Sequence, residues 1–585
     1  MSLEKLITDN IDTWTSTVKT KSTTGRGSSK KLELYGVKKL RELILELAVR
    51  GKLVSQEPND EPASVLLERI AQEKAQLVKE KKIKKPKALP DMDEEKPFLI
   101  PSNWSWSQLG FLTNYGVCDK AESTSVSDDT WVLELEDVEK TTSKLLKKVR
   151  FSERAFKSSK NQFQPEDVLY GKLRPYLDKV LIADEHGVCT TEMIPVRAYR
   201  DLIPSYLRLV LKSPYFINYA NDSTHGMNLP RMGTDKARAA LFPLAPLSEQ
   251  HRIVAKVDEL MTLCDQLEQQ TEASIEAHQV LATTLLDTLT NSANAQELMQ
   301  NWQMVAEHFE TLFTTEESID QLKQTVLLLA VMGKLVPQDP NDEPAAKLLV
   351  RIAEEKAQLI KDKKIAKQKA LAPITDDEKP FELPIGWEWC RIADVSLNSE
   401  SGWSPKCLDT PREAGKWGVL KVSAVTWGVY NPEENKELPS ALEPREQIEV
   451  KDGDFLISRA NTAELVAKAV IVPPDSPNKL MMSDKIIRFR FSEALEANYI
   501  NLFNNSGFAR NYYAEVAGGT SSSMKNVSRV QINNLVVALP PKKEQDKIVC
   551  KVDAFFTICD QLKAKLRSSQ TTQLHLTDAI VEQVV

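Results

Sequence analysis

The 585-residue sequence is poor in the residues that usually build metal centres and disulfide frameworks. It has six His and seven scattered Cys, and the pair Cys390 and Cys407 has no His or second Cys pair nearby. This composition argues against a structural zinc site and favours ordinary reduced thiols. The sequence contains no apolar run of membrane-spanning length and no signal-peptide core, so we expect a cytoplasmic protein that does not enter a membrane.

Catalytic motifs are also missing. Both GKL segments lack the spacing and the hydroxyl of a phosphate-binding loop, and there is no Asn-Pro-Pro-aromatic motif or glycine-rich cofactor loop. The segment Glu449-Val450-Lys451 matches the end of a nuclease E-x-K motif, but it has no convincing partner Asp upstream, and such short matches usually arise by chance. We therefore expect no catalytic residue, no metal and no cofactor in this chain.

Charge is distributed unevenly along the chain. The net charge of −7 argues mildly against a general nucleic-acid coat. However, residues 140–238 contain 18 Lys and Arg against 10 Asp and Glu, whereas residues 451–541 contain 10 against 8. A basic surface is therefore predicted in the first half of the chain, and only a weak one in the second half.

The sequence contains a long internal repeat, and its two copies begin 282 residues apart. Residues 47–85 and 329–367 are identical at 29 of 39 positions, and residues 249–267 and 544–562 at 12 of 19. The second pair of segments carries apolar residues at alternating spacings of four and three, which is typical of a coiled-coil seam. The seams are Ile253, Val257, Leu260, Cys264 and Leu267, and Ile548, Val552, Phe555, Cys559 and Leu562.

Between the repeated helices lie two stretches with short apolar runs and many turns, which indicates an α+β fold. The first should contain strands at 131–135, 168–170, 180–183 and 193–197 and a helix at 205–219. We predict six segments: a flexible N-terminal arm (1–35), a helical region (36–97), a first α+β domain (98–247), a central helical region (248–380), a second α+β domain (381–541) and a C-terminal helix (542–585). We call the two α+β domains the first and second insert.

The duplicated order of motifs resembles the specificity subunit of type I restriction–modification enzymes. The motifs are GKLVSQEPNDEP and GKLVPQDPNDEP, the insert entrances LIPSNWSW and LPIGWEW, and the exits LAPLSEQHRIVAKVD and ALPPKKEQDKIVCKVD. Within the inserts, PEDVLYGKLRPYLDKV and KDGDFLISRANT are similar to the family's strand-and-loop element. MNLPRMGTDKAR and GGTSSSMKNVSRVQINNL are similar to its late recognition loop. The resemblance covers residues 36–585.

The resemblance implies two target-recognition domains, each recognising one half of a bipartite site in double-stranded DNA. It implies that long antiparallel coiled-coil helices separate them in a pseudo-twofold, circular organisation. The implied partners are two modification subunits, which bind S-adenosylmethionine, and restriction subunits, which use ATP and Mg. Independently, a helix over residues 63–85 would be roughly 35 Å long, about one turn of B-DNA, which is a suitable spacing for two joined recognition domains.

Candidate DNA-binding residues lie in the matching loops of the two inserts, where Arg can bind guanine or phosphate and Ser or Asn can bind phosphate or base edges. The alternative is that they are solvated charges and ordinary turn residues. In the first insert the candidates are Lys172, Arg174, Tyr176, Arg231, Lys236 and Arg238. In the second insert they are Arg459, Asn461, Ser521, Ser522, Lys525, Asn526 and Arg529.

The insert entrances carry the Trp pairs Trp104 and Trp106, and Trp387 and Trp389. Base stacking is one interpretation, but anchoring of the linker to the domain core is favoured, because both pairs belong to the repeated scaffold.

Two other functions stay open from the residues alone. One is a stand-alone nuclease or nuclease–methylase fusion, which would cleave DNA by itself. The other is a scaffold that gathers protein partners without recognising DNA. The missing motifs argue against the first, and sequence-specific DNA binding by the assembled complex would exclude the second.

Overall fold

The structure is a computed structural model that describes residues 3–22, 30–92, 96–226, 228–293, 295–367, 371–519 and 524–584. These residues form two compact units: unit 1 comprises 3–22, 30–274 and 570–584, and unit 2 comprises 275–569. The division falls within Leu247–Asn291 and Lys542–Val584, which we call the first and second long helix. The first long helix ends at Asn291, and the next helix begins at Ala295.

Residues 3–22 and 30–34 are folded, so the interpretation of 1–35 as a flexible arm is wrong for this part of it. Two short helices, Leu3–Asp9 and Ile11–Ser16, precede an antiparallel hairpin of Lys19–Ser22 with Lys30–Glu33. The Trp14 side chain is fully buried, and Thr17 Oγ1 lies 3.0 Å from Thr577 Oγ1 in the second long helix. The N-terminal segment is mostly polar in composition, but a few of its apolar side chains are buried in a core.

Each copy of the longer repeated segment (47–85 and 329–367) contains the end of one helix and the whole of the next. In unit 1 they are Tyr35–Val49 and Ala63–Lys79, and in unit 2 they are Glu316–Val331 and Ala345–Lys361. The expected helix to residue 85 is wrong, because the chain turns at Lys81, whose φ is +56°, and Lys82 N–H bonds back to Leu77 O. The 17-residue helix is about 25 Å long rather than 35 Å.

The first predicted seam is buried, and in the second seam Ile548, Val552 and Cys559 are buried, whereas Phe555 and Leu562 are partly buried. Cys264 and Cys559 are free thiols within the seams. Burial raises the pKa of Cys264 to about 11, so this thiol behaves as a small apolar residue. The helix Tyr35–Val49 bonds to the first long helix through Arg41 and Asp265, at 2.5 Å. The equivalent pair in unit 2 is Lys323 and Asp560, also at 2.5 Å. The repeat therefore preserves a helix–helix contact as well as a sequence.

In the first insert, strand Ser105–Gln108 at the entrance pairs with Leu241–Leu244 at the exit, which closes the domain. A four-stranded sheet has the order Lys120–Ala121, Lys160–Phe163, Gly187–Cys189, Trp131–Leu133, with the last pair parallel. An antiparallel three-stranded sheet has the order Met193–Val196, Val168–Gly171, Val180–Ile182. The shorter elements are helices Leu109–Leu112 and Thr234–Ala239 and the strand pair Thr224–His225 with Arg231–Met232.

The four predicted strands of the first insert are confirmed. The predicted helix over residues 205–219 is instead two helices, Pro204–Lys212 and Pro214–Asp222. Pro214 cannot continue the first helix, and Ser213 Oγ accepts from Phe216 N–H to begin the second.

The second insert is closed in the same way by Glu388–Arg391 paired with Val536–Leu539. One sheet has the order Ser396–Ser401, Ile486–Phe491, Phe455–Ser458, Ala469–Ile471, and another has the order Asn435–Glu437, Gly418–Leu420, Leu480–Met481. Strand Ala460–Asn461 pairs with Lys525–Asn526. The other helices of unit 2 are Ala295–Glu307, Phe309–Leu312, Ile392–Val395, Ala497–Asn505, Gly507–Val516 and Arg529–Asn534. Both inserts are thus mixed α+β domains, as expected.

Candidate nucleic-acid interface

The backbone of the first insert joins the two segments in which candidate residues were predicted. Leu173 and Arg231 form an antiparallel bridge. Arg174 N–H donates to Pro230 O at 2.8 Å, and Met232 N–H donates to Lys172 O at 3.1 Å. Lys172, Arg174 and Arg231 therefore lie on one small ladder, in which Arg231 is opposite Leu173, although Arg231 is distant in sequence from the other two.

The turn that carries Arg174 and Tyr176 is held in an uncommon conformation. Arg174 and Asp178 have φ values of +51° and +48°, which non-glycine residues rarely adopt. Lys212 Nζ stabilises the turn, because it donates to Asp178 Oδ2 at 2.6 Å and to Ser143 Oγ at 2.7 Å. Burial raises the pKa of Asp178 to about 6, against the lowering effect of Lys212. Tyr176 is 52% exposed at the tip of this anchored turn.

The cations of the first insert differ in how strongly the protein itself binds them. Arg231 Nε donates to both carboxylate oxygens of Glu192, at 3.0 and 3.1 Å, and this contact raises the pKa of Arg231. The Arg174 Nη2 contact to Asn228 O is long, at 3.4 Å. Arg174 is therefore freer than Arg231 to exchange its contact for a ligand.

Lys236 and Arg238 lie away from that ladder, on the short helix Thr234–Ala239. Lys236 is exposed, whereas Arg238 Nη2 donates to Lys87 O at 2.8 Å in the linker that precedes the insert. Lys87 Nζ in turn binds Asp235 at 2.8 Å. Arg238 thus holds the linker against the insert.

The second insert joins its two candidate segments in the same way. Ala460 pairs with Asn526 and Asn461 with Lys525, and Val527 N–H donates to Arg459 O at 2.9 Å. Ser521 and Ser522 lie outside the described residues.

Five candidate side chains of the second insert are described, and four of them lie on this ladder. Asn461 Nδ2 donates to Thr426 Oγ1 at 3.0 Å, and Lys525 Nζ donates to Gly519 O at 2.8 Å. Arg459 and Asn526 are exposed. Arg529 is also exposed, but its Nη2 donates to Ser401 Oγ at 2.8 Å, on a neighbouring strand. The second insert therefore presents two exposed side chains on the ladder beside two that the protein itself orients.

Corresponding hydrogen bonds identify equivalent positions in the two inserts. Lys172 N–H donates to Glu192 O at 3.0 Å, and Arg459 N–H donates to Lys485 O at 2.7 Å. Matching the hydrogen bonds and bridges of the two ladders gives four equivalent pairs: Lys172 and Arg459, Arg174 and Asn461, Arg231 and Asn526, and Glu192 and Lys485. The same backbone arrangement thus carries different side chains at these four positions in the two inserts. At one position, that of Glu192 and Lys485, the charge is reversed.

Sequence reasoning missed Glu192 and Lys485. Each lies just before a strand, Met193–Val196 or Ile486–Phe491, in a short polar segment (TTE or SDK) that has no distinctive motif. Only its place in the sequence, directly before the predicted strand at 193–197, could have pointed to Glu192.

The prediction that the entrance Trp residues anchor the linker is confirmed. Trp104 and Trp387 are 5% and 6% exposed. Trp104 packs edge-on against Tyr206, and Trp387 against Tyr499, with centroids 6.3 Å apart in both cases. Trp106 and Trp389 pack against Phe98 and Phe381 respectively.

Within the part of the chain that the structure describes, no group of three His, Cys, Asp or Glu side chains is arranged to hold a metal ion. Glu449 of the E-x-K match is paired with Lys451 and accepts from Lys479 N–H. Of the helices described, none is long and apolar enough to cross a membrane.

The fold and this site define a duplicated α+β protein whose two inserts present different side chains on one shared surface arrangement. No protein-family model matches the chain. The specificity subunit of the type I restriction enzyme EcoEI from Escherichia coli is 46% identical over 597 residues, covering all of this chain and 99% of that protein. The EcoAI specificity subunit from Escherichia coli is 41% identical over 612 residues, covering all of both chains.

The chain therefore belongs to the family of type I restriction enzyme specificity subunits, and the resemblance seen in its motifs is confirmed. A solved structure from work on complex assembly and conformational transition of the type I restriction–modification system has a TM-score of 0.51 and 18% identity, covering 83% of this chain and 99% of that one. At that identity the match concerns the fold alone.

Proposed function

We propose that this chain is the DNA sequence-recognition subunit of a type I restriction–modification complex, and that each insert recognises one half of a bipartite, asymmetric site. The equivalence of the two ladders supports this most directly. A protein that binds two different half-sites needs one rigid backbone arrangement in two copies, with different donors and acceptors on each. The positions of Arg174 and Asn461, and of Glu192 and Lys485, have these properties.

The proposal includes an arrangement and a set of partners. The two inserts are separated by antiparallel coiled-coil helices in a pseudo-twofold, circular organisation, with the segment boundaries predicted above, except that the N-terminal segment is folded and not flexible at residues 3–22 and 30–34. The repeated pairs Arg41–Asp265 and Lys323–Asp560 support it, because they use the same helix positions in both units. Two modification subunits supply S-adenosylmethionine chemistry and restriction subunits supply ATP- and Mg-dependent translocation and cleavage, while this chain supplies no catalytic group.

The residues of the two ladders divide into base-contacting and phosphate-contacting groups under this proposal. Arg174 makes one long hydrogen bond, and the Asn461 amide donates to Thr426 and accepts from Thr462 N–H. These two residues have the side chains that bind guanine and adenine edges. Lys172, Arg459 and Lys525 are suited to phosphates. Tyr176, Arg231, Lys236, Arg238, Asn526, Arg529, Ser521 and Ser522 complete the proposed surface, with Arg238 acting through the linker that it holds.

The test is a genome-wide map of methylated adenines in cells that produce this chain with its modification subunits. Residues 98–247 are exchanged for the insert of another specificity subunit, and residues 381–541 are exchanged in a matched second variant. We expect a bipartite motif in which each exchange changes a different half. A motif that is absent, or that changes in both halves with one exchange, contradicts the proposal. DNA cleavage by the isolated chain would favour a nuclease instead.

A further inference from the structure

A short loop in the second insert leaves two large apolar side chains in solvent. Trp427 and Val429 are 71% and 73% exposed, on either side of Gly428, whose φ is +78°. Contiguous exposed apolar surface is the kind that marks a binding site, whereas single exposed apolar side chains need no explanation. Trp427 is not paired with another aromatic ring within the described residues, whereas the entrance Trp residues are.

Both ends of this loop are buried. Before the loop, Ala424 and Val425 are fully buried and Thr426 is 2% exposed. After it, Tyr430 is 6% exposed, and Asn431 N–H donates to Ala424 O at 2.9 Å. The exposed apolar side chains therefore lie in a short loop whose two ends are buried and joined by a backbone hydrogen bond.

The loop is continuous with the candidate interface. Thr426 Oγ1 accepts the hydrogen bond from Asn461, and Asn461 pairs with Lys525 on the recognition ladder. The residue next to this contact is Trp427. Trp427 and Val429 therefore lie one and three residues beyond the residue that Asn461 contacts.

The corresponding loop of the first insert has a different character. It follows strand Trp131–Leu133, which is parallel to Gly187–Cys189 just as Gly418–Leu420 is parallel to Leu480–Met481. Residues 138–148 of this loop carry four Lys, and Thr141 N–H donates to Leu177 O of the anchored turn. Residues 422–429 carry no Lys or Arg. The first insert is rich in cations at this place, and the second, whose charges are nearly balanced, has apolar surface instead.

We propose that Trp427 and Val429 form an apolar recognition element that contacts the bases of the half-site bound by the second insert. The inference rests on the proposed DNA-recognition function. The occupant is double-stranded DNA, because the loop adjoins the Asn, Lys and Arg side chains that suit base edges and phosphates. Apolar side chains contact thymine methyl groups in the major groove or insert at a base step in the minor groove, and neither contact requires charge.

The experiment uses the complex of this chain with its modification subunits and duplexes that carry the mapped site. We compare Trp427→Ala, Trp427→Phe and Val429→Ser with Leu408→Ala, a control at another exposed apolar residue of the same insert (46% exposed). Affinity for the site and for a scrambled duplex is measured over a range of salt concentrations, and methylated adenines are mapped in cells.

We expect Trp427→Ala to weaken site binding by about ten-fold or more, with unchanged affinity for the scrambled duplex and an unchanged salt dependence. Base discrimination should relax only in the half-site that changes when residues 381–541 are exchanged. Trp427→Phe should restore most of the affinity, and Leu408→Ala should have no effect.

Two results would overturn the inference. In one, Trp427→Ala binds and discriminates as the unchanged complex does. In the other, the modification subunits no longer assemble with the variant, which would mean that a protein partner covers the loop. Failure of the proposed function is a separate result, because the unchanged complex would then show no bipartite motif.

Discussion

The indole Nε1–H of Trp104 donates a hydrogen bond to Glu249 Oε2 at 2.9 Å, in the buried junction between the first insert and the first long helix. Glu249 Oε1 accepts from Gln56 at 2.5 Å, so the repeated turn, the insert entrance and the insert exit all meet at one carboxylate. Unit 2 repeats the junction with Trp387, Gln338 and Glu544. The repeat therefore preserves the same hydrogen-bonded joint between scaffold and insert in both units.

Replacing the indole at this joint should destabilise unit 1. Trp104→Phe leaves one oxygen of the Glu249 carboxylate without its donor, which costs about 1.5–3 kcal/mol for a hydrogen bond to a charged group. The melting temperature of the isolated chain measures the effect. Trp106→Phe is the matched control, since Trp106 is half-buried and makes ring contacts. Equal melting temperatures for the two variants would contradict the role of the hydrogen bond.

The same joint predicts a dependence of stability on pH. Burial raises the pKa of Glu249 and of Glu544 above the ordinary value, although the Trp and Gln donors oppose the shift. A carboxyl whose pKa is higher in the folded state binds more protons when folded. Its contribution to stability therefore falls as pH rises from the ordinary Glu pKa through the raised one. Melting curves between pH 4 and 7 should show that Glu249→Gln loses part of this fall. An unchanged pH profile would contradict the prediction.

The buried pair of Asp178 and Lys212 should control recognition by the first insert alone. Asp178→Asn keeps a residue that tolerates φ of +48° but leaves the Lys212 ammonium without its carboxylate, and breaking a buried pair costs about 3–5 kcal/mol. We expect the turn of Arg174 and Tyr176 to loosen, and methylation to lose discrimination in one half-site. Arg150→Ala is the control, because its pair with Glu185 is more exposed to solvent. Relaxation in both half-sites would contradict this assignment.

Periodic features of the structure could be predicted from the sequence. The heptad seams, the short strands of the first insert and the Trp anchors follow from spacing, turn chemistry and repetition. These are local patterns, or patterns that occur twice. They cover the scaffold and the approximate position of each candidate loop.

The arrangement of the site could not be predicted, because it depends on pairings between distant segments. Nothing near Leu173 indicates that it bridges Arg231, or that Ala460 pairs with Asn526. The two inserts share that pairing while their side chains differ, so comparing their sequences hides the equivalence. The contact of Arg238 with Lys87 O and the burial of Trp14 are likewise tertiary outcomes that a polar, loop-like sequence does not reveal.

The folded N-terminal segment should secure the end of the second long helix within unit 1. Thr17 bonds Thr577, and Tyr35 Oη donates to Asp578 Oδ1 at 2.8 Å. Trp14→Ala opens a cavity at a fully buried ring and should cost about 3–5 kcal/mol. Hydrogen exchange at residues 570–584 should then increase, whereas Ile11→Ala, at a residue 41% exposed, should leave it unchanged. Unchanged protection in Trp14→Ala would show that the segment does not hold the helix.

Phosphate contacts and base contacts should separate in the salt dependence of DNA binding. Arg459→Ala and Lys525→Ala should weaken binding to all duplexes alike and reduce the slope of log affinity against log salt by about one each, because each removes about one phosphate contact. Asn461→Ala should leave the slope unchanged and weaken only the mapped site, because its amide carries no charge. Lys451→Ala is the control, since its ammonium is paired with Glu449. A full salt slope in Arg459→Ala and Lys525→Ala would mean that the partner subunits, and not this ladder, neutralise the phosphates of that half-site.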